Sequence, residues 1–130
     1  MAGYLLDTGI LLRHLRGQRR YVRLLRELGK RRLAICALTC TEVFAGMRPH
    51  EERNTRRLLG RMQTIPVDRE IADRAGDLIR RTRDQGRTLH VPDALIAATA
   101  IQLDVTLVTL NVRHFAGLGV KLYPILTVVS

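Results

Sequence analysis

The spacing of apolar positions changes repeatedly along this chain, and each change marks an element. "YLL", residues 4–6, is a short apolar run that ends at a lone carboxylate, Asp7. Beyond it Ile10, Leu11 and Leu15 recur at helical spacing, so a strand is predicted to become a helix at the acid. Tyr21, Leu24, Leu25 and Leu28 form one helical stripe, with Arg19, Arg23 and Arg26 on another face and Gly29 as the stop. "RLAICAL", residues 32–38, is a short continuous apolar run, the pattern of a parallel strand covered on both faces. A helix is predicted from about Thr39 to Met47, and an Arg-rich one begins at Pro49, carrying Leu58, Leu59 and Met62 inward. "TIPV" reads as a brief strand. Asp68 then caps a helix with the stripe Ile71, Ala75, Leu78 and Ile79, and Gly86 sits at its end. "VPDALIAATAIQL", residues 91–103, is apolar almost all round, which predicts a helix buried against the sheet. "VTLVTL" is another buried strand, "NVRHFAGLG" a turn with a single helical turn, and "VKLYPIL" the last strand.

Strands alternating with helices predict an α/β fold: a three-layer α/β/α sandwich with a mostly parallel central sheet. The length, 130 residues, suits a single domain over 1–130 with a full core and no disulfide or structural metal. Cys36 and Cys40 accordingly read as buried free thiols. No stretch is both long and free of charge, so no membrane span is expected. The N-terminus lacks the basic leader, apolar run and cleavage site of a signal peptide, which predicts a cytoplasmic protein.

Charge adds a functional hint. The chain has 22 basic and 12 acidic residues, and 20 of the basic ones are Arg, whose fork of donors suits phosphate oxygens. A polyanionic partner fits this excess, as does a genome rich in Arg codons. With three Tyr, two Phe and no Trp, base stacking on an aromatic platform is poorly supported, so contact with nucleic acid would be mostly electrostatic.

Against that basic background the placement of a few acids is informative. Sites in parallel sheets form beyond the carboxyl ends of the strands. Asp7 ends the first strand, Asn111 lies just past the "VTLVT" strand, and Glu42 and Asp93 lie near the starts of helices leading from the same edge. Each has a simpler reading. Asp7 and Asp93 can cap the helices they precede, and Glu42, set among Val43, Phe44 and Ala45, needs a partner that an Arg can supply as well as a metal. As a cluster the acids repel one another and require a cation. Carboxylates, an amide and water are what Mg2+ or Mn2+ prefers, and no convergent Cys and His set points to zinc. Such an ion at Asp7, Asp93 and Glu42, within a surface that gathers phosphates, points to phosphodiester cleavage. Thr8 and Thr109 stand beside this pit, where each can orient a carboxylate or water or simply pack.

"LLDTGILLRHLRG", "TEVFAG", "VPDALIAATA" and "LVTLNVRHF" resemble, in order and spacing, the motifs of PIN-domain ribonucleases, specifically VapC-type toxins of type II toxin–antitoxin pairs. The resemblance implies a PIN-like fold, Mg2+- or Mn2+-dependent endoribonuclease activity, a homodimer and a cognate antitoxin that blocks the active site. It places Asp7, Glu42 and Asp93 at the family's three leading acidic positions and Asn111 where many members carry a fourth acid. RNA is favoured over DNA only through this resemblance. His114, with Phe115, matches the family's "HF" and is read as structural, Arg113 as a phosphate or antitoxin contact. Leu11, Leu12, Leu15 and Tyr21 supply apolar surface on which an antitoxin helix can dock. Two other functions remain open: a non-catalytic nucleic-acid-binding module on the same fold, suggested by Asn111, and a metal-dependent phosphatase or DNA nuclease.

Overall fold

The computed structural model describes residues 3–29 and 32–125. Five parallel strands, β1 (Tyr4–Leu6), β2 (Leu33–Cys36), β3 (Gln63–Ile65), β4 (Thr106–Val108) and β5 (Lys121–Leu122), form one sheet in the order β3-β2-β1-β4-β5. The chain starts at the centre, winds outward through β2 and β3, then returns to β4 on the other side of β1. Tyr4 and Leu5 lie beside Leu33 and Ala34 of β2, and Tyr4, Leu5 and Leu6 beside Thr106, Leu107 and Val108 of β4. Strand order therefore reverses between β1 and β4, and the two strands end level with each other. That reversal opens a crevice beyond their carboxyl ends.

Alternating side chains of each strand feed two separate cores, which is why the strands read as unbroken apolar runs. Leu5, Ala34, Cys36 and Leu107 face the layer made by α5 (Arg69–Asp84) and α6 (Val91–Leu103). Leu6, Leu33, Ile35 and Val108 face α1 (Thr8–Leu15), α2 (Arg19–Leu28), α3 (Ala37–Gly46) and α4 (Glu52–Leu59). Leu5, Leu6, Ile35, Leu107 and Val108 are completely buried. At about 1.5–3 kcal/mol for each large side chain fully buried, these positions anchor the sheet centre far more firmly than the exposed Lys121 anchors its edge.

Several expectations hold in detail. Gly29 ends α2 with φ 86°, Asp68 caps α5 by accepting the Ile71 amide at 2.9 Å, and both cysteines are free thiols, Cys36 buried as expected but Cys40 only half-buried. Boundaries differ where the apolar pattern has no period to read. The run predicted as strand to residue 38 turns helical at Ala37, because Ala37 and Leu38 suit either structure. Pro49–Glu51 form a short 3-10 turn before α4, and Met62 is buried from the turn that follows that helix. The last strand shrinks to Lys121–Leu122, although the Tyr123 amide still reaches the Leu107 carbonyl at 2.9 Å. Leu126, also assigned to that strand, lies outside the described residues. The short α7 (Val112–Phe115) supplies the single helical turn anticipated there, with Phe115 buried. Among the described residues, no helix is long and apolar enough to cross a membrane.

Candidate active site

Asp7 occupies the crevice by covalent necessity, as the residue that follows β1. Its amide donates to the Val108 carbonyl at 3.0 Å, extending the β1–β4 ladder by one rung, and its Oδ1 accepts the Thr8 amide at 2.8 Å as the cap of α1. Capping and a chemical role are therefore compatible here, because capping engages only part of the carboxylate. Its Oδ2 accepts the Thr109 hydroxyl at 2.7 Å from just past β4, and the Thr109 oxygen in turn accepts the Asn111 amide at 3.0 Å. The reversal of strand order is thus closed by a side-chain bond between residues 102 positions apart.

Glu42 reaches the pit from α3. Thr8 Oγ1 donates to its Oε1 at 2.7 Å. The pairing follows from helix register: four residues on, Leu12 of α1 lies against Gly46 of α3, where a Cβ would meet Leu12 Cδ1 at 3.4 Å. The missing side chain at Gly46 lets the helices approach, and Arg16 reinforces them through the Gly46 carbonyl at 3.2 Å. Glu42 is only half-buried, so its apolar sequence neighbours misrepresented its surroundings, and its partner is a hydroxyl rather than the Arg considered above.

Asp93 does not cap α6. The cap position belongs to His90, without a side-chain bond, and Asp93 sits in the first turn, its Oδ2 2.9 Å from His114 Nδ1 on α7. His114, read as structural from its place beside Phe115, thus makes its contact with an acid of the pit. Asn111 is exposed at the start of α7, and its backbone rather than its side chain makes the bond that ties it to the pit.

The charges of Glu42 and Asp93 reach Asp7. Burial pushes the Asp7 carboxyl above its ordinary value, hydrogen bonds from Thr109 and the Thr8 amide pull it back, and the charges of Asp93 and Glu42 push it up again. Asp7 is 6% exposed, and a buried carboxylate flanked by two others is costly without a counter-charge. No Arg or Lys among the described residues makes an ion pair with Asp7, Glu42 or Asp93. The guanidiniums go elsewhere: Arg56, Arg69 and Arg80 bridge acids within one helical turn, and Arg13 and Arg32 lie over the rings of Tyr21 and Tyr4.

The donor set is all oxygen, which suits a hard divalent cation. Among the described residues no three Asp, Glu, His or Cys side chains close around one point, so the convergence expected of Asp7, Glu42 and Asp93 is one of electrostatic neighbours and not of a finished cage. Mg2+ is commonly held by one or two carboxylates, with waters completing its shell. A cavity of about 230 Å3 lies away from the pit, between α1, α2 and α4, with Leu25, Leu58 and Met62 on its walls and Arg26 and Arg61 beside them. Leu11 and Tyr21, expected to offer a docking surface, are buried in the core, while Leu12 and Leu15 remain half-buried. The hydroxyls of Thr8 and Thr109 were visible in the sequence as neighbours of the strand ends. Nothing in the sequence joined His114 to Asp93.

A doubly wound α/β sheet with a buried carboxylate, Asp7, at its strand-order reversal defines the class. The particular family follows from comparison: residues 4–120 match the PIN domain, and the chain belongs to that family. It is 41% identical over 114 residues to the protein named Ribonuclease VapC10 of Mycobacterium tuberculosis, an alignment covering 85% of this chain and 84% of that one. It is 39% identical over 113 residues to Ribonuclease VapC19 of the same organism, covering 85% and 90%. Among solved structures, a toxin–antitoxin complex from Klebsiella pneumoniae superposes with a TM-score of 0.81 at 31% identity, covering 94% of this chain and 97% of that one. Ribonucleases of the VapC type in this family generally depend on a divalent metal.

Proposed function

We propose that this protein is the endoribonuclease toxin of a toxin–antitoxin pair, with Asp7, Glu42 and Asp93 as its cation-holding acids and Asn111 at the rim of the same site. The observation that carries this reading is Asp7: buried at the strand-order reversal, its pKa raised by burial and by two neighbouring carboxylates, and given no basic partner among the described residues. The identity to two ribonucleases supports the same conclusion.

Asp7, Asp93 and Glu42 would hold Mg2+ or Mn2+, which when bound acidifies water and neutralises charge on a phosphoryl oxygen. The chain's own residues do the positioning. Thr109 and the Thr8 amide fix both oxygens of Asp7, and the Thr8 hydroxyl fixes Glu42. A polymer laid across the sheet edge would meet these acids, and the Arg excess gathers its phosphates from solution. The Klebsiella protein was solved with its antitoxin, and the cleft between α1, α2 and α4, apolar within and basic at Arg26 and Arg61, is a seat for an amphipathic acidic helix. A homodimer and a cytoplasmic setting belong to the same reading, as does a single domain over 1–130.

Incubation of purified protein with defined RNAs in Mg2+, Mn2+ or EDTA, beside Asp7→Asn, tests it. Cleavage that requires the ion and is lost in the variant is the expected result. Full cleavage by Asp7→Asn overturns the site. RNA retained without cleavage at any metal concentration instead favours the non-catalytic reading, which the neutral Asn111 in place of a fourth acid recommends.

A further inference from the structure

The braces on Asp7 and Glu42 are neutral: a backbone amide and a hydroxyl hold the two oxygens of Asp7, and a hydroxyl holds one oxygen of Glu42. Asp93 is the exception, because its brace is an imidazole from another element, 21 residues away in sequence. Against an ionised carboxylate, which offers only acceptors, His114 Nδ1 is the donor and Oδ2 is the oxygen it engages. Among the described residues no other hydrogen bond or ion pair reaches the Asp93 carboxylate, and Oδ1 has none. His114 itself is held in place by its own helix: its amide donates to the Asn111 carbonyl at 2.9 Å, and Phe115 beside it is completely buried.

We infer that His114 is a positioning residue that orients Asp93, holding Oδ2 so that Oδ1 is the oxygen left for a divalent cation. The inference rests on the reading of the pit as a cation site. Its physical basis is that an unbraced carboxylate on the first turn of a helix samples several rotamers, and a ligand that must first be ordered binds its ion more weakly. It also ties α7, and through it the β4 end of the crevice, to the start of α6, so both sides of the strand-order reversal carry a brace: Thr109 on Asp7 and His114 on Asp93.

Direct titration with Mn2+, followed by calorimetry or by the spin resonance of the free ion, tests this without reference to cleavage. Wild type, Asp93→Ala, His114→Ala and His114→Asn are compared, the last because its amide nitrogen takes the place of Nδ1. His114→Ala is expected to weaken Mn2+ binding by roughly 10-fold or more, the effect typical of removing an outer partner of a metal ligand, and His114→Asn to recover most of it. Loss of a purely structural contact lowers the melting temperature and the folded fraction but leaves the affinity of the folded protein unchanged. So His114→Ala with wild-type affinity, or His114→Asn no better than His114→Ala, overturns the inference. Mn2+ binding undiminished in Asp93→Ala overturns instead the reading of the pit, and the two failures are thereby told apart.

Discussion

Replacing Thr109 by Val keeps the volume of a side chain that is 1% exposed and deletes one hydroxyl. That oxygen donates to Asp7 Oδ2 at 2.7 Å and accepts the Asn111 amide at 3.0 Å, so two bonds go. A hydrogen bond to a buried charged group contributes about 1.5–3 kcal/mol, and one between neutral groups about 1 kcal/mol. The hydroxyl favours the ionised form of Asp7, so its loss raises an already raised carboxyl pKa further. An acid whose folded pKa lies above its unfolded value gives stability that is complete at low pH and lost as pH rises through the folded pKa. Thr109→Val must therefore cost more where Asp7 is ionised, about 2.5–4 kcal/mol for one bond to a charged group and one neutral bond, than below the folded Asp7 pKa, where two neutral bonds of about 1 kcal/mol each are lost. For a chain of this length the former corresponds to roughly 8–15 °C in melting temperature. Urea unfolding of both proteins in EDTA from pH 4 to pH 8 measures the difference directly. A penalty that does not change with pH, or one below about 0.5 kcal/mol throughout, refutes the claim that Thr109 supports the charged form of Asp7.

Three further outcomes follow from the same geometry. Asp7→Asn removes a buried charge pressed by Asp93 and Glu42, so in EDTA it is expected to melt above wild type at pH 8, with the gain vanishing as pH falls below the Asp7 pKa; an equal or lower melting point at pH 8 refutes the electrostatic strain. Asn111→Asp adds a fourth carboxylate at the rim, which should lower the melting point in EDTA and raise Mn2+ affinity several-fold; calorimetry showing no tighter binding would place residue 111 outside the ion's reach. Asp68→Ala loses the cap on the Ile71 amide of α5, at a cost of about 1 kcal/mol in denaturant unfolding, while cleavage per folded molecule stays at the wild-type rate because α5 contributes nothing to the pit.

The fold was largely legible because burial on both sheet faces writes strands as continuous apolar runs and the helices as stripes with marked ends. Tyr4–Leu6, the stripe through Tyr21, Leu25 and Leu28, and the all-round apolar Val91–Leu103 left little freedom. Legibility failed at residues 37–38, where a strand passes into a helix with no polar residue between them, and at β5, whose extent depends on a neighbour rather than on its own pattern. The place of Asp7 was legible for a topological reason: a residue that follows a strand must stand at the sheet edge, whereas Glu42 lies within α3 and Asp93 on α6, which follows another helix. Their partners were not legible. Thr8 meets Glu42 only because Leu12 settles on Gly46, and His114 meets Asp93 only because α7 folds back beside α6; both are consequences of tertiary packing.

The bond from the Asp7 amide to the Val108 carbonyl has a dynamic consequence. β1 is the middle strand, paired on both sides and covered on both faces, so breaking that bond means parting the centre of the sheet. In deuterated solvent the Asp7 proton should exchange only with global unfolding, alongside those of Leu5 and Leu6, rather than with the fraying of a loop. A carboxylate mounted on the central strand is therefore expected not to loosen while the rest of the molecule stays folded. Control of such a centre works by covering it, and not by bending it out of shape.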